Sequence, residues 1–304
     1  MLPIKKIYID SRNRTADSID ASNFKIQLPY TIEMPDNTVF FVTDVCIPHV
    51  YQLIETGLND RLYFKYFARK KTGGDNLPYS FWSSVVLPAG GYNGNISSGG
   101  SILSGGQYLA QQIQAAMNGG VNPNANITFS ASWDSNLYQI SISCSGTDTS
   151  LLLCSPKNII NENDFQRDVF KNPGIWGSSY DPNNLMTCGD ILNITDEIRP
   201  SNQFKSGFVS LQTINNIYIT SPNLGSFDTI AEFSNNVIKK VPVTAPYGYM
   251  IIDQSGTNND FLNCSKQVLR TIEFHLKDSR GNYIKMHNMN CSFSIVFNKF
   301  NLQE

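Results

Sequence analysis

Along most of this chain hydrophobic and polar positions alternate with a period of two. Phe24, Ile26 and Leu28 alternate with Lys25 and Gln27, and Pro29 closes the run. Residues 37–46 form a β-branched and aromatic stretch (Val39, Phe40, Phe41, Val42, Val45) ended by Pro48. Stretches 61–68 and 80–87 have the same character, as do 207–220, 237–244 and 247–253. Near the C-terminus Ile272, Phe274 and Leu276 oppose Glu273, His275 and Lys277, and Phe293, Ile295 and Phe297 oppose Ser292, Ser294 and Val296. Short runs of this kind, bounded by Pro, Gly, Asn or Asp, are what antiparallel strands with one buried face require. The pattern predicts about eight strands in the two flanks of the chain. Asp278-Ser279-Arg280-Gly281 supplies turn chemistry between the last two, with Gly281 free to take positive φ.

The middle of the chain breaks the pattern. Residues 72–156 contain no Lys or Arg, and their acids are Asp75, Asp134 and Asp148. Glycine pairs at 90–91, 99–100 and 105–106 precede a predicted helix over 106–118. There Leu109, Ile113, Ala116 and Met117 make one apolar stripe, and Gly119-Gly120 stops it. A hairpin is predicted next, 127–133 and 137–144, turning at Asp134-Ser135-Asn136. A helix and hairpin inside a strand-only pattern predict an insertion over 89–199, between a first half (1–88, with an N-terminal arm) and a second half (200–304). The fold class expected is all-β: a single eight-stranded jelly-roll sandwich with an inserted small α+β domain of one helix and one hairpin. An immunoglobulin-type sandwich or a closed barrel are the alternatives, and no Cys-Trp-Cys spacing favours the former.

Composition narrows the function classes. The chain has 304 residues, 41% hydrophobic and 12% aromatic, with 23 basic and 25 acidic side chains. That content supports a large core and excludes broad disorder. A net charge of −2 argues against coating nucleic acid, which needs a basic face. The charge divides unevenly: 89–199 carries four basic and nine acidic residues, the remainder nineteen and sixteen. No apolar run reaches the ~20 residues of a membrane span, and the opening residues lack a signal-peptide apolar region. A soluble, intracellularly made protein is expected. The six cysteines (46, 144, 154, 188, 264, 291) are widely spaced without CxxC, so reduced and mostly buried thiols are expected, with no zinc site.

No catalytic constellation is legible. His49, His275 and His287 sit at strand ends, on outward positions or near turns, and none adjoins a nucleophile motif. Gly90-Gly91-Tyr92-Asn93-Gly94 lacks the Gly-Lys-Ser/Thr ending of a phosphate loop, and Asp278–Asn282 lacks calcium-loop spacing. The Asn-x-Ser/Thr sequons are read as chance matches among 33 asparagines. No enzyme activity, cofactor or metal is expected. Two basic clusters stand out as subunit or internal contacts: Arg12 and Arg14 in the polar segment after Ile4–Ile9, and Arg69, Lys70 and Lys71. The first is equally compatible with an ordinary loop, and for 69–71 a solvated loop is the preferred reading.

Several segments together carry a family resemblance. Residues 7–14 (IYIDSRNR) are followed by 22–29 (SNFKIQLP), 43–49 (TDVCIPH) and 59–64 (NDRLYF). Gly91-Tyr92 and Tyr108-Leu109-Ala110 lead into the helix, and 218–224 (YITSPNL), 237–243 (VIKKVPV) and 274–278 (FHLKD) follow. Over nearly the whole chain this resembles the penton (minor capsid) proteins of virophages and Polinton-like elements, most weakly over 145–200. The resemblance implies a structural protein of the virion, assembled in the host cytoplasm. It implies a single jelly roll forming homopentamers at icosahedral vertices, among double-jelly-roll major capsid proteins, with the insertion facing outward. Contact with the genome is left open. A second class stays open as well: a carbohydrate- or receptor-binding β-sandwich, in which Tyr92, Trp133, Tyr138 and Trp176 would be exposed and stack on a ligand.

Overall fold

The computed structural model describes residues 5–71, 79–155, 187–194, 200–212, 214–224, 236–255 and 260–299. Strands β1 (Lys5–Asp10), β2 (Asn23–Glu33) and β3 (Thr38–Pro48) open the chain. Then come β4 (Arg61–Ala68), β5 (Tyr79–Val86), β6 (Asn95–Ser98), β7 (Ser101–Ser104) and helix α1 (Gly105–Gly119). Strands β8 (Thr128–Asp134), β9 (Gln139–Ser145) and β10 (Ser150–Leu153), short helix α2 (Cys188–Ile191) and β11 (Gln203–Lys205) follow. The chain closes with β12 (Asn216–Thr220), β13 (Val237–Pro242), β14 (Met250–Asp253), β15 (Leu262–Asn263), β16 (Val268–Lys277) and β17 (Ser292–Lys299). It divides into two units: Met1–Tyr51 with Ile214–Glu304, and Gln52–Thr213.

The first unit is a jelly roll by its own strand order. One sheet runs β1-β17-β3-β14, with β15 also pairing β3, and the other runs β13-β12-β16-β2. Leaving out the two-residue β15, one sheet holds the first, eighth, third and sixth strands in chain order. The other holds the fifth, fourth, seventh and second, all antiparallel. Two four-stranded sheets interleaved this way are the double Greek key of a jelly roll. Phe24, Ile26 and Leu28 from β2 face Phe293, Ile295 and Phe297 from β17 across the core. Phe274 joins them, with ring centroids 5.5 Å from Phe24 and 5.0 Å from Phe293.

In β3 the inward phase passes from Phe40 and Val42 to Val45 and Ile47, an odd step in a two-residue repeat. A bulge opposite Ser292/Ser294 absorbs the extra residue, and Asp44 takes φ 53° there. Pro29 does not stop β2. The strand continues to Glu33 and pairs with β16 alone among the described strands, so an edge position accommodates the missing N–H.

The second unit has its own core. Sheet β10-β4-β5, sheet β11-β9-β8 and hairpin β6-β7 surround α1. Leu109, Ile113 and Met117 of α1 are buried with Phe64, Tyr66, Phe129, Ile140 and Ile142. Ser104 caps α1 in a capping box with Gln107.

Two sequence expectations are corrected. The insertion spans 52–213 rather than 89–199, because β4 and β5 pair with each other and with β10, not with the jelly roll. The stretch 207–220 is not one strand, since the division between units falls at 213/214 and β12 begins at Asn216. The polar segment 10–15, open to an arm or an ordinary loop, is held on its own unit by a 3-10 turn at Ser11–Asn13 and by the Ser11 N–H donating to the Cys291 carbonyl at 2.9 Å, and the short strand expected over 4–9 is edge strand β1, paired with β17. With these bounds the charge asymmetry dissolves: 52–213 holds ten basic and twelve acidic residues, the jelly-roll residues thirteen of each.

Candidate functional site

The predicted contact residues part company in three dimensions. Tyr92 is buried at 3% exposure, so it is not an exposed aromatic. Its hydroxyl donates to the Pro88 carbonyl at 2.6 Å, and burial raises its phenol pKa. The glycines around it permit close approach, since a Cβ on Gly105 would lie 1.5 Å from the Tyr92 carbonyl oxygen. Trp176 lies outside the described residues. Trp133 is half-buried and lies over Gly106 at the start of α1, where a Cβ would come within 2.3 Å of the indole.

Tyr138 is exposed, at the end of the β8–β9 turn. The Asp134 carboxylate accepts the Asn136 and Leu137 N–H groups, at 2.8 and 3.2 Å, which shapes that turn. The next residue must then take the left-handed region, where glycine or asparagine is favoured; Tyr138 sits there at φ 51°. Its carbonyl accepts the Val209 N–H at 2.8 Å, which holds Phe208 beside it. The Tyr138 and Phe208 rings stack at 5.4 Å and 28°, and Trp133 meets Tyr138 edge-on at 5.6 Å. Phe208 is 60% exposed, as is Leu137. Sequence alone does not single out Phe208, because a continuous strand through 207–220 gives it no special position.

The sheet that ends in this turn shows a polar outer face. Thr128, Ser130 and Ser132 of β8, Ser141 and Ser143 of β9, and Gln203 and Lys205 of β11 alternate with the buried or half-buried Phe129, Ala131, Ile140, Ile142 and Phe204. Ser130 and Ser143 share a hydrogen bond of 2.7 Å.

The basic candidates are engaged within their own units. Arg12 forms a fork to the Asp10 carboxylate and holds that carboxyl below its usual pKa. Arg14 donates to the Ser11 carbonyl at 2.9 Å and the Asn290 side chain at 3.1 Å. Arg69 pairs with Asp148, and the Lys70 ammonium lies 4.0 Å from the Tyr79 ring centroid. The Lys71 N–H donates to the Asn124 carbonyl at 2.7 Å, and its side chain is exposed.

The jelly roll has exposed apolar groups of its own, at opposite edges of the β1-β17-β3-β14 sheet. On β1 Tyr8 is 77% exposed beside Lys6, and the Lys5 ammonium lies over Tyr30 of β2, 4.0 Å from the ring centroid. At the β14 edge Tyr249, Met250 and Ile252 are exposed. Two of the histidines, His49 and His275, are engaged within the jelly roll. The buried His49 ring stacks on Tyr51 at 4.3 Å, and its Nδ1 lies 2.7 Å from the Ala245 carbonyl, so that nitrogen carries the proton and donates. His275 Nε2 lies 2.8 Å from Glu273. All six cysteines are free thiols, four of them buried.

No family model matches the chain. No curated protein matches it either. Among the solved structures that align with the chain, two cover nearly all of it. One is a crystal structure of the mavirus penton protein, 11% identical, covering 97% of this chain and 100% of that one at a TM-score of 0.42. The other is the Sputnik virophage by electron cryo-microscopy, 12% identical, covering 97% and 98% at a TM-score of 0.42. The jelly roll itself stands on this chain's own strand order, not on those scores.

Proposed function

We propose that this chain is a structural capsid subunit of penton type, assembled in the host cytoplasm into virions. Its jelly roll would associate head-to-tail into a ring of five at the icosahedral vertices, beside double-jelly-roll major capsid proteins. The observation that carries the ring is the unlike pair of edges on one sheet. Lys5, Lys6 and Tyr8 mark the β1 edge, and Tyr249, Met250 and Ile252 the β14 edge. A two-fold dimer joins a patch to itself, whereas two different edges meeting head-to-tail generate a ring where the rotation closes and an open filament where it does not. Tyr8 at one edge and Tyr249 and Met250 at the other are residue types enriched in the core of subunit interfaces, while Lys6 is already paired with Asp44 at 2.7 Å. The number five, the vertex position and the major capsid partner come from the sequence resemblance.

Light scattering on the purified protein tests the ring. Five copies of a 34.0 kDa chain give a species of about 170 kDa, and Ile252→Glu, which puts a charge on the β14 edge, is expected to reduce it to monomers. A wild-type chain that stays monomeric at high concentration, and is missing from vertices of particles formed with the major capsid protein, overturns the reading. So does an Ile252→Glu chain that still forms the pentamer.

A further inference from the structure

We infer that the Tyr138–Phe208 ring pair is a binding platform for a neutral saccharide. Three observations converge on it. First, the rings are offered to solvent rather than used in the core: Tyr138 is 48% and Phe208 60% exposed, beside an exposed Leu137. Second, the backbone is strained to present them. Tyr138 occupies the left-handed region at φ 51°, and a tyrosine gains nothing there that glycine or asparagine would not provide at lower cost. Trp133 backs the pair edge-on and is itself seated on Gly106, so the platform is preformed.

Third, the electrostatic setting selects the ligand. Residues 79–155 contain no Lys or Arg, and on the sheet β11-β9-β8 the one cation is Lys205. Single-stranded nucleic acid also stacks on aromatic rings, but it needs a positively charged groove to track its phosphates. A heavily sulfated glycan, charged along its length, has the same requirement. The polar groups next to the rings in the chain are instead Ser135 and Asn136 of the turn and Gln139 at the start of β9, and the one charge there, the Asp134 carboxylate, is taken up by the Asn136 and Leu137 N–H groups. A pyranose matches both halves of this surface. Its C–H face packs on an aromatic ring, whose π-cloud is electron-rich, and its hydroxyls exchange hydrogen bonds with amides and hydroxyls at the rim. The inference is independent of the capsid reading.

Isothermal calorimetry on the full chain tests it, with maltoheptaose, cellohexaose, chitohexaose, laminarihexaose and mannohexaose as neutral probes. A heparin hexasaccharide and a thymidine 20-mer serve as anionic ones. The wild type is expected to bind at least one neutral probe. Phe208→Ser and Tyr138→Gly should each weaken that binding about tenfold or more, as loss of a stacked ring does, while Tyr138→Phe retains it. Glycine is at home at φ 51°, so the Tyr138→Gly chain is expected to fold, with circular dichroism as the check. If that chain does not fold, Phe208→Ser decides. Binding of no neutral probe, binding of the anionic probes only, or undiminished affinity in the ring variants overturns the inference.

Discussion

Replacing Gly106 with alanine tests how the platform is supported. A Cβ at that position would lie 2.3, 2.4 and 2.7 Å from three atoms of the Trp133 indole. Ordinary contact begins near 3.4 Å, so the ring or the first turn of α1 must yield by about 1 Å. Overpacking on that scale costs about 1–3 kcal/mol. Alanine in place of glycine in a helix returns at most about 1 kcal/mol, and less in the first turn, where Gly106 sits. The net expectation is a destabilisation of about 1–2 kcal/mol, or roughly 2–4 °C in Tm per kcal/mol for a unit of this size. Urea unfolding of Gly106→Ala, Trp133→Ala and the double variant isolates the contact. In the Trp133→Ala background the clash is gone, so the alanine at 106 should be neutral or stabilising, leaving a coupling of about 1–2 kcal/mol. A displaced Trp133 also loses its edge contact with Tyr138, so saccharide binding should weaken together with stability. If Gly106→Ala is as stable as wild type and the cycle shows no coupling, the account of Trp133 as a support is wrong.

Two further predictions concern the jelly roll. Burial holds the His49 pKa below its usual value, so the unfolded chain binds the proton more readily; stability from this group is complete above about pH 6.5 and is lost as pH falls toward the lower folded value. His49→Gln should flatten that acid limb of the stability–pH curve, and an unchanged limb would show that other groups set it. Lys239 is buried, with its ammonium 2.6 Å from the Ser255 carbonyl, 3.6 Å from Asp253 and 3.9 Å from Asp260. Lys239→Ala leaves the buried Asp253 carboxylate without that cation and should cost about 3–5 kcal/mol in urea unfolding; a loss under about 1 kcal/mol would mean that water reaches the carboxylate freely.

Local chemistry makes several elements legible in the amino-acid pattern alone. The predicted helix 106–118 is observed as Gly105–Gly119, because its serine cap, its apolar stripe and its stop at Gly119-Gly120 all lie within one local segment, 104–120. The β8–β9 hairpin is legible for the same reason, through the Asp134 turn. Stretches 61–68 and 80–87 carry a clear strand pattern, and both are strands, but the pattern does not say to which unit they belong. The alternation of β4 tells that one face is buried, but not whether β10 or a jelly-roll strand lies beside it. Tyr92 follows a glycine pair and Tyr138 an Asp-Ser-Asn turn, both loop signals, yet one is buried under a glycine approach and the other exposed by a turn.

The sequence by itself determined an all-β chain, the alternation that builds two facing sheets, one capped helix and one hairpin. Each follows from interactions between residues near in sequence, or from a periodicity that needs no knowledge of the partner. Only the tertiary structure decided which strands pair, and so where the inserted unit begins and ends. The same pairing removed the charge contrast between 89–199 and the rest, since β4, β5 and the basic residues 69–71 moved to the other side of the boundary. It also brought Phe208 onto Tyr138 across seventy residues of chain. Which side chains stay in water depends on long-range pairing, and no local pattern encodes it.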